Sequence, residues 1–334
     1  MSDRFNVATL LDRTLDAGRG TSTALICDNG QTVSHRELFD AVCRVAHRLR
    51  TLGLRREERV LLVLDDTLAF PAAFLGALRI GVVPIPANFL ARAEDLGYFI
   101  DDSYATLAVI DAGFLPKLEP VLGERPALRV AIANGKARPS DLSFDAWLED
   151  PAEELSPVDT HAEDMAFWLY SSGSTGRPKG VVHAHGDVRF SCEHYAKEVL
   201  ETTPQDVHLS TTKLFHAYGL GNGLTFPLWS GASAVYLTGK PTAPKALEKI
   251  RAQRPSLVFS VPTLYNLMLQ EPAFAEVDFS SVRLGVSAAE ALPPEVWRQF
   301  HERTGVEILD GIGSTELLHI YCSNRKGAVK VGTS

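Results

Sequence analysis

The sequence predicts an α/β protein made of two doubly wound layers, and three observations carry that prediction. Short, continuous apolar runs recur at 59–64, 82–86, 107–111 and 128–133, as strands buried on both faces require. Stretches of helical periodicity separate them, which gives the strand–helix alternation of a parallel sheet. The alternation resumes after residue 205, and 334 residues at 45% hydrophobic content are enough for two or three subdomains sharing a large core.

Taken in order, residues 23–28 alternate into a turn at Gly30 and on to 32–33, a hairpin signature. Ser34 and Glu37 have capping-box spacing, and Leu38, Ala41, Val42, Val45, Ala46 and Leu49 share one face of the helix that follows, which ends near Gly53. The strand at 59–64 leads to an Ala/Leu-rich helix ending near Gly81 and then to the strand at 82–86. Helices at 91–100 and 114–122 bracket the strand at 107–111, and 128–133 closes the first layer. From 134 to 164 the chain turns polar and Pro-rich, with the acidic run LEDPAEELSPVD, and reads as a surface excursion.

The second layer repeats the alternation. Strands are expected at 207–211, 234–237, 257–261, 282–287 and 306–309, and helices at 187–200, 220–229, 244–253, 262–270 and 294–303. The expected division is therefore a first α/β subdomain over 1–165 and a second over 166–334. No internal repeat of fixed period and no low-complexity tract interrupts either.

Between the two lies the most unusual stretch, YSSGSTGRPKGVVH, from Tyr170 to His183. Ser171, Ser172, Gly173, Ser174, Thr175 and Gly176 precede a lone cation at Lys179, and short apolar runs at 166–170 and 181–183 flank the whole. A polar loop hung between two strands suits a polyphosphate. Glycines let backbone N–H groups approach an anion, hydroxyls donate to phosphate oxygens, and a lysine adds mobile charge. The Walker spacing GxxxxGK[ST] is not met, because Lys179 is followed by Gly180. A solvated Gly/Ser linker is the bland alternative, but linkers seldom sit between apolar strands.

Two further strings accompany the loop: KLFHAYGLGNG at 213–223 and LDGIGSTELLHI at 309–320. The second follows an apolar strand and offers glycine backbone for a flat ring, a hydroxyl at Thr315 for a phosphate, and a carboxylate at Glu316 for a divalent cation. With SSGSTGRPKGVVHAH, the three strings in this order and spacing resemble the acyl-adenylate-forming superfamily of acyl-CoA ligases, luciferases and peptide-synthetase adenylation domains. The wording of the later two is most similar to benzoate-type aryl-CoA ligases, and the likeness runs over nearly the whole chain.

That resemblance implies the large N-terminal domain of such an enzyme, two doubly wound α/β subdomains with an accessory β region. The superfamily's ribose-binding aspartate, hinge and small C-terminal domain would lie beyond Ser334, so the missing domain of the same polypeptide becomes an expected partner. The implied reaction joins a small aromatic carboxylate to ATP, giving an acyl-adenylate, and then transfers the acyl group to coenzyme A as co-substrate, with Mg²⁺ as cofactor. Both steps concern charge on phosphate and carbonyl oxygens, so positioning and electrostatics should dominate.

Residue by residue, the likeness assigns the phosphates to Ser171, Ser172, Gly173, Ser174, Thr175, Gly176 and Lys179. It assigns AMP to Ala289, Glu290, Asp310, Gly311, Ile312, Gly313, Ser314 and Thr315, with Glu316 on the metal. Ala289 stands where the family usually has glycine. His216 matches an aromatic gate beside the reacting carboxylate and, with Thr315, Glu316 and Lys179, makes the catalytic set. Ala217, Tyr218, Gly219, Ala288, Gly313 and Ile320, with His216, match a flat aryl slot, and Tyr218 and His319 are available to donate to a ring hydroxyl. An amino-acid substrate would need a buried counter-charge, and residues 217–219 supply none.

Composition narrows the partners. Thirty-three basic against 41 acidic residues, a net charge of −8, argue against nucleic acid or an anionic membrane surface. Cys27, Cys43, Cys192 and Cys322 are far apart, without a CxxC, and read as free thiols of a reducing cytoplasm. The N-terminus has no apolar signal core, and no run nears the ~18 apolar residues of a membrane span. A homodimer is compatible with all of this. Three rivals are a medium-chain acyl-CoA ligase of the same superfamily, a nucleotide-binding module without ligase activity, and an α/β hydrolase. The last would use Ser287, because Gly285–Ala289 approximates a GxSxG elbow without its last glycine.

Overall fold

The alternation is realised, among the described residues, as sheets of five and eight strands with a separate two-stranded ribbon. A computed structural model describes residues 3–151, 153–171 and 176–334. The chain divides into two units: Met1–Thr21 with His35–Arg189, and Ser22–Ser34 with Phe190–Ser334. The ribbon that flanks the polar loop falls in the first.

The first unit begins with α1 (Thr9–Asp16), after which the chain leaves for a hairpin, β1 (Thr23–Ile26) and β2 (Thr32–Ser34), that belongs to the second. It returns as α2 (His35–Thr51), which buries Leu38, Ala41, Val42, Val45, Ala46 and Leu49, the face its periodicity predicts. Then come β3 (Arg59–Val63), α3 (Ala69–Arg79), β4 (Val83–Pro86), α4 (Ala93–Ser103), β5 (Leu107–Asp111), α5 (Leu115–Gly123) and β6 (Arg129–Ala133). The strands pair in parallel in the order β4-β3-β5-β6, and nearly all their residues are buried. Every residue of α3 is buried, including Arg79, whose guanidinium is satisfied by both oxygens of Asp12 at 2.7 and 2.8 Å.

The polar stretch after β6 is not wholly a surface excursion. It contributes β7 (Leu142–Ser143), a fifth parallel strand beside β6, and α6 (Phe144–Leu148). Phe144 and Trp147 are the reason, since both are buried and anchor the helix, while Ser143 caps it by accepting from Ala146 N–H at 3.2 Å. The ribbon β8 (Met165–Ser171) and β9 (Lys179–Ala184) follows, antiparallel, with Ser171 opposite Lys179.

The second unit continues with α7 (His185–Ser191), which starts in the first unit, and β10 (Val207–Ser210), α8 (Ala217–Leu220), α9 (Phe226–Ser230), β11 (Ser233–Val235), α10 (Ala243–Gln253), β12 (Leu257–Ser260), α11 (Pro262–Gln270), β13 (Leu284–Ser287), α12 (Pro294–Thr304), β14 (Ile308–Gly313) and β15 (Ile320–Ser323). Two of the expected helices are interrupted by wider π turns, Cys192–Lys197 after α7 and Gly221–Thr225 between α8 and α9. The sheet order is β15-β14-β13-β12-β10-β11-β1-β2, parallel from β14 to β1, with antiparallel strands at both edges. Asp28, just past β1, bonds Lys245 Nζ at 2.6 Å and Lys249 Nζ at 2.9 Å, which fastens the N-terminal hairpin to α10. No helix among the described residues is long and apolar enough to cross a membrane.

Candidate active site

In the second unit, β10 is flanked by β11 on one side and β12 on the other, so the chain reverses its winding direction between β10 and β12. Open α/β sheets bind ligands in the crevice that such a reversal leaves at the carboxyl ends of the strands. Here that crevice is a cavity of about 300 Å³. Thr212 and Val261 enter it just past β10 and β12, Ala288 and Ala289 past β13, and Gly313, Ser314 and Thr315 at the end of β14. His216, just before α8, and Ala217 and Tyr218 within it form one wall, His319 and Ile320 another.

Two glycines allow this wall to exist. A Cβ at Gly219 would lie 2.1 Å from the Lys213 carbonyl oxygen, and one at Gly221 would lie 2.4 Å from His319 Cδ2. Only glycine lets α8 settle against the 212–213 backbone and lets the His319 ring lie against the following turn. The π turn in turn carries Asn222 inward. It is fully buried, and its Oδ1 lies 3.0 Å from His319 Nε2. An amide oxygen can only accept, so Nε2 carries the proton. Burial pushes the His319 pKa down to about 3 and keeps the ring neutral.

The aromatic end of the cavity is built from tilted and edge-on rings. Tyr218 and His319 have centroids 5.3 Å apart, with Phe226 at 4.5 Å behind His319. The Tyr218 hydroxyl donates to the Val286 carbonyl at 3.1 Å. This corrects the expectation that Tyr218 and His319 can donate to a ring hydroxyl. The tyrosine proton is committed to a strand carbonyl and the histidine proton to Asn222, because a buried donor must find a partner inside the protein.

Other sequence-predicted residues divide by position. His216, Ala217, Tyr218, Ala288, Gly313 and Ile320 line the cavity, whereas Gly219 is buried behind it. His216, the residue before α8, stands exposed against the Phe215 ring. Asp310 and Gly311 are buried in β14, and burial raises the Asp310 carboxyl above its usual range. Ile312 is half exposed and Glu316 is exposed in the connection to β15. Glu290 turns to α11, accepting from Thr263 Oγ1 at 2.7 Å. In the first unit, Ser171 and Lys179 face each other across the ribbon, and Gly176 adopts φ +94°. Ser172, Gly173, Ser174 and Thr175 lie outside the described residues.

Ala289, where glycine is usual, has φ 74°, and Leu318 has φ 66°. Side chains other than glycine seldom adopt such values. Ser287 is completely buried at the end of β13, beside Asp310. It offers no exposed nucleophile, which removes the hydrolase reading. Sequence reasoning missed Thr212, Val261 and Asn222. The first two each follow an apolar strand directly, and that position was itself a usable signal.

Comparison with known proteins gives one consistent answer. The AMP-binding enzyme profile matches residues 12–334. The chain is 45% identical over 334 residues to a benzoate–CoA ligase of Thauera aromatica, covering 99% of this chain and 63% of that one. It is 40% identical to a 4-hydroxybenzoate–CoA/benzoate–CoA ligase of Rhodopseudomonas palustris, covering 99% and 61%. Among solved structures, a benzoate CoA ligase from Burkholderia xenovorans LB400 superposes with a TM-score of 0.90 at 42% identity, covering 98% of this chain and 65% of that one. The anthranilate CoA ligase AuaEII in complex with anthranoyl-AMP gives 0.97 at 33% identity, covering 100% and 64%. The chain therefore spans less than two thirds of the length of the relatives it matches.

Proposed function

The chain belongs to the AMP-binding enzyme family, and from that premise we propose that it is the acid- and nucleotide-binding part of a benzoate-activating CoA ligase. The aromatic end of the cavity is the observation that carries this reading. Tyr218, His319 and Ile320 close the slot with apolar and ring surface, and their proton donors are already used. An unsubstituted ring is the best match, since it asks for stacking and no hydrogen bond. A hydroxybenzoate is the nearest variant. A medium-chain acid is disfavoured because the tilted rings of Tyr218 and His319, with Phe226 edge-on behind His319, stand where its tail would need to continue.

The chemistry then follows from placement. A carboxylate oxygen attacks the α-phosphorus of ATP, pyrophosphate leaves, and the thiol of coenzyme A next attacks the acyl carbon and releases AMP. His216, exposed at the mouth, is assigned the gate between these steps, and the Thr315 hydroxyl the α-phosphate. Half-exposed Ile312 and the neighbouring Gly313 are assigned the flat face of the adenine, with Asp310 buried in the strand that leads to them. Ser171 and Lys179 are assigned to the outer phosphates.

Among the described residues no group of three or more His, Cys, Asp or Glu could hold a metal on its own. A magnesium ion shared with phosphate oxygens needs only one or two carboxylates, and exposed Glu316 fits that demand. When bound, the ion would neutralise phosphate charge. A cytoplasmic place in the breakdown of aromatic acids accords with the four free thiols.

The test is pyrophosphate exchange into ATP by the full-length gene product, with benzoate, 4-hydroxybenzoate, 2-aminobenzoate and octanoate compared. Benzoate should support the fastest exchange. Exchange driven by octanoate and not by benzoate would overturn the proposal.

A further inference from the structure

Both ends of the polar loop touch one face of α4, within the first unit. On the entry side the Tyr170 ring stacks on Phe99 with centroids 4.0 Å apart and planes 18° from parallel. Its hydroxyl donates to Asp102 Oδ2 at 2.7 Å. On the exit side the Arg177 guanidinium lies over the Tyr98 ring, 5.6 Å from its centre. The Tyr98 hydroxyl donates to the other oxygen of the same carboxylate, Oδ1 of Asp102, at 3.2 Å. The two tyrosine rings meet edge to face at 6.3 Å.

We propose that Asp102 is a positioning residue for the ribbon residues that border the polar loop, holding Tyr170 and Tyr98 so that Ser171 and Lys179 are set for a polyphosphate before one binds. Buried Ala166, Phe167 and Leu169 anchor β8 along its length, which leaves the last pairs of the ladder as the least supported part of the ribbon. The ladder ends beside the loop, where Tyr170 pairs with Gly180 and Ser171 with Lys179, and a terminal pair is supported by a neighbouring pair on one side only. Tying Tyr170 to a carboxylate by a charge-assisted hydrogen bond and a ring stack keeps the last pairs closed. The ordering of these two pairs, which would otherwise weaken nucleotide binding, is then already present in the free protein.

The inference rests on the ATP-dependent reading above, so its test separates the two. In the full-length gene product, Asp102→Ala should raise the KM for ATP about 5- to 10-fold, as loss of one or two hydrogen bonds implies. The KM for benzoate and kcat at saturating ATP should stay within about twofold, because Asp102 touches neither reacting group. Asp102→Asn keeps one acceptor oxygen and should fall between. Tyr170→Phe, which keeps the ring stack, covers the case in which Asp102→Ala does not fold. An unchanged KM for ATP in folded Asp102→Ala or Tyr170→Phe overturns the proposal.

If the wild type shows no acid-dependent exchange, the functional reading is what fails. The positioning role is then read from trypsin cutting after Lys179 without nucleotide. Faster cutting in Asp102→Ala than in wild type, at equal thermal midpoint, supports it, and equal rates overturn it.

Discussion

Asn222 and His319, 97 residues apart in sequence, share one buried hydrogen bond, Oδ1 to Nε2 at 3.0 Å, at the aromatic end of the cavity. This bond fixes both the tautomer and the plane of the ring against which the substrate's own ring would rest. Asn222→Ala leaves a buried N–H without a partner, a loss of about 1–3 kcal/mol. The KM for benzoate is expected to rise about tenfold while that for ATP moves less than twofold, since about 1.4 kcal/mol corresponds to a factor of ten. Steady-state titration of each substrate checks the split.

Gly219→Ala should be among the most damaging single methyl additions in the chain. The new Cβ would meet the Lys213 carbonyl oxygen at 2.1 Å and the Thr212 carbonyl at 2.5 Å, both backbone atoms that cannot swing away. A loss of about 3 kcal/mol or more is expected, measurable as a fall in the urea midpoint.

Ala289→Gly should do the reverse. At φ 74° the alanine pays for a left-handed backbone, and glycine removes about 1 kcal/mol of that strain. Equilibrium denaturation should show the variant to be more stable, and a decrease in stability would mean that the methyl packs better than its backbone suffers.

Asp111, at the end of β5, supplies the pH dependence. It accepts from Asp65 N–H at 2.6 Å and from the Asn134 amide, but burial raises its pKa from 3.8 to about 6. The native state thus holds a proton that the unfolded chain has already released. The contribution is complete below pH ~4 and disappears as pH rises through about 6, so stability from this group falls across that window, by up to about 3 kcal/mol. Asp65 and Asp145, both nearby, push in the same direction. Denaturant titrations between pH 4.5 and 7 should show a negative slope that Asp111→Asn flattens by up to one proton.

The alternation of apolar runs and periodic helices foretold both sheets because strands buried on two faces leave a continuous signal in sequence. β7 and α6 escaped for the opposite reason. Their two anchors, Phe144 and Trp147, sit among Asp141, Asp145, Glu149 and Asp150, and a short buried helix with a charged outer face averages out to a polar stretch. The cavity was legible where a string carries its chemistry on its own side chains, as at His216, Tyr218 and Thr315. Asn222 was not, because its role depends on a partner far along the chain and on a π turn that no local periodicity announces. The strain at Ala289 was half visible: an alanine where glycine is usual raised the question, and only the backbone angle answered it.

The hairpin of β1 and β2 has an effect on synthesis as well as on architecture. Leu25 and Ile26 complete their sheet by pairing with Ala234 and Val235, about two hundred residues later. Thr238 and Lys249 must also have left the ribosome before Asp28 finds its partners. One edge of β1, opposite the edge that β2 covers, therefore waits without its neighbour while nearly everything between is made. A nascent chain stalled before residue 233 would expose a free strand edge, the template on which chains associate. Separating the units by a single cut at 189/190 would have the same effect, since it leaves β11 without the neighbour that β1 supplies.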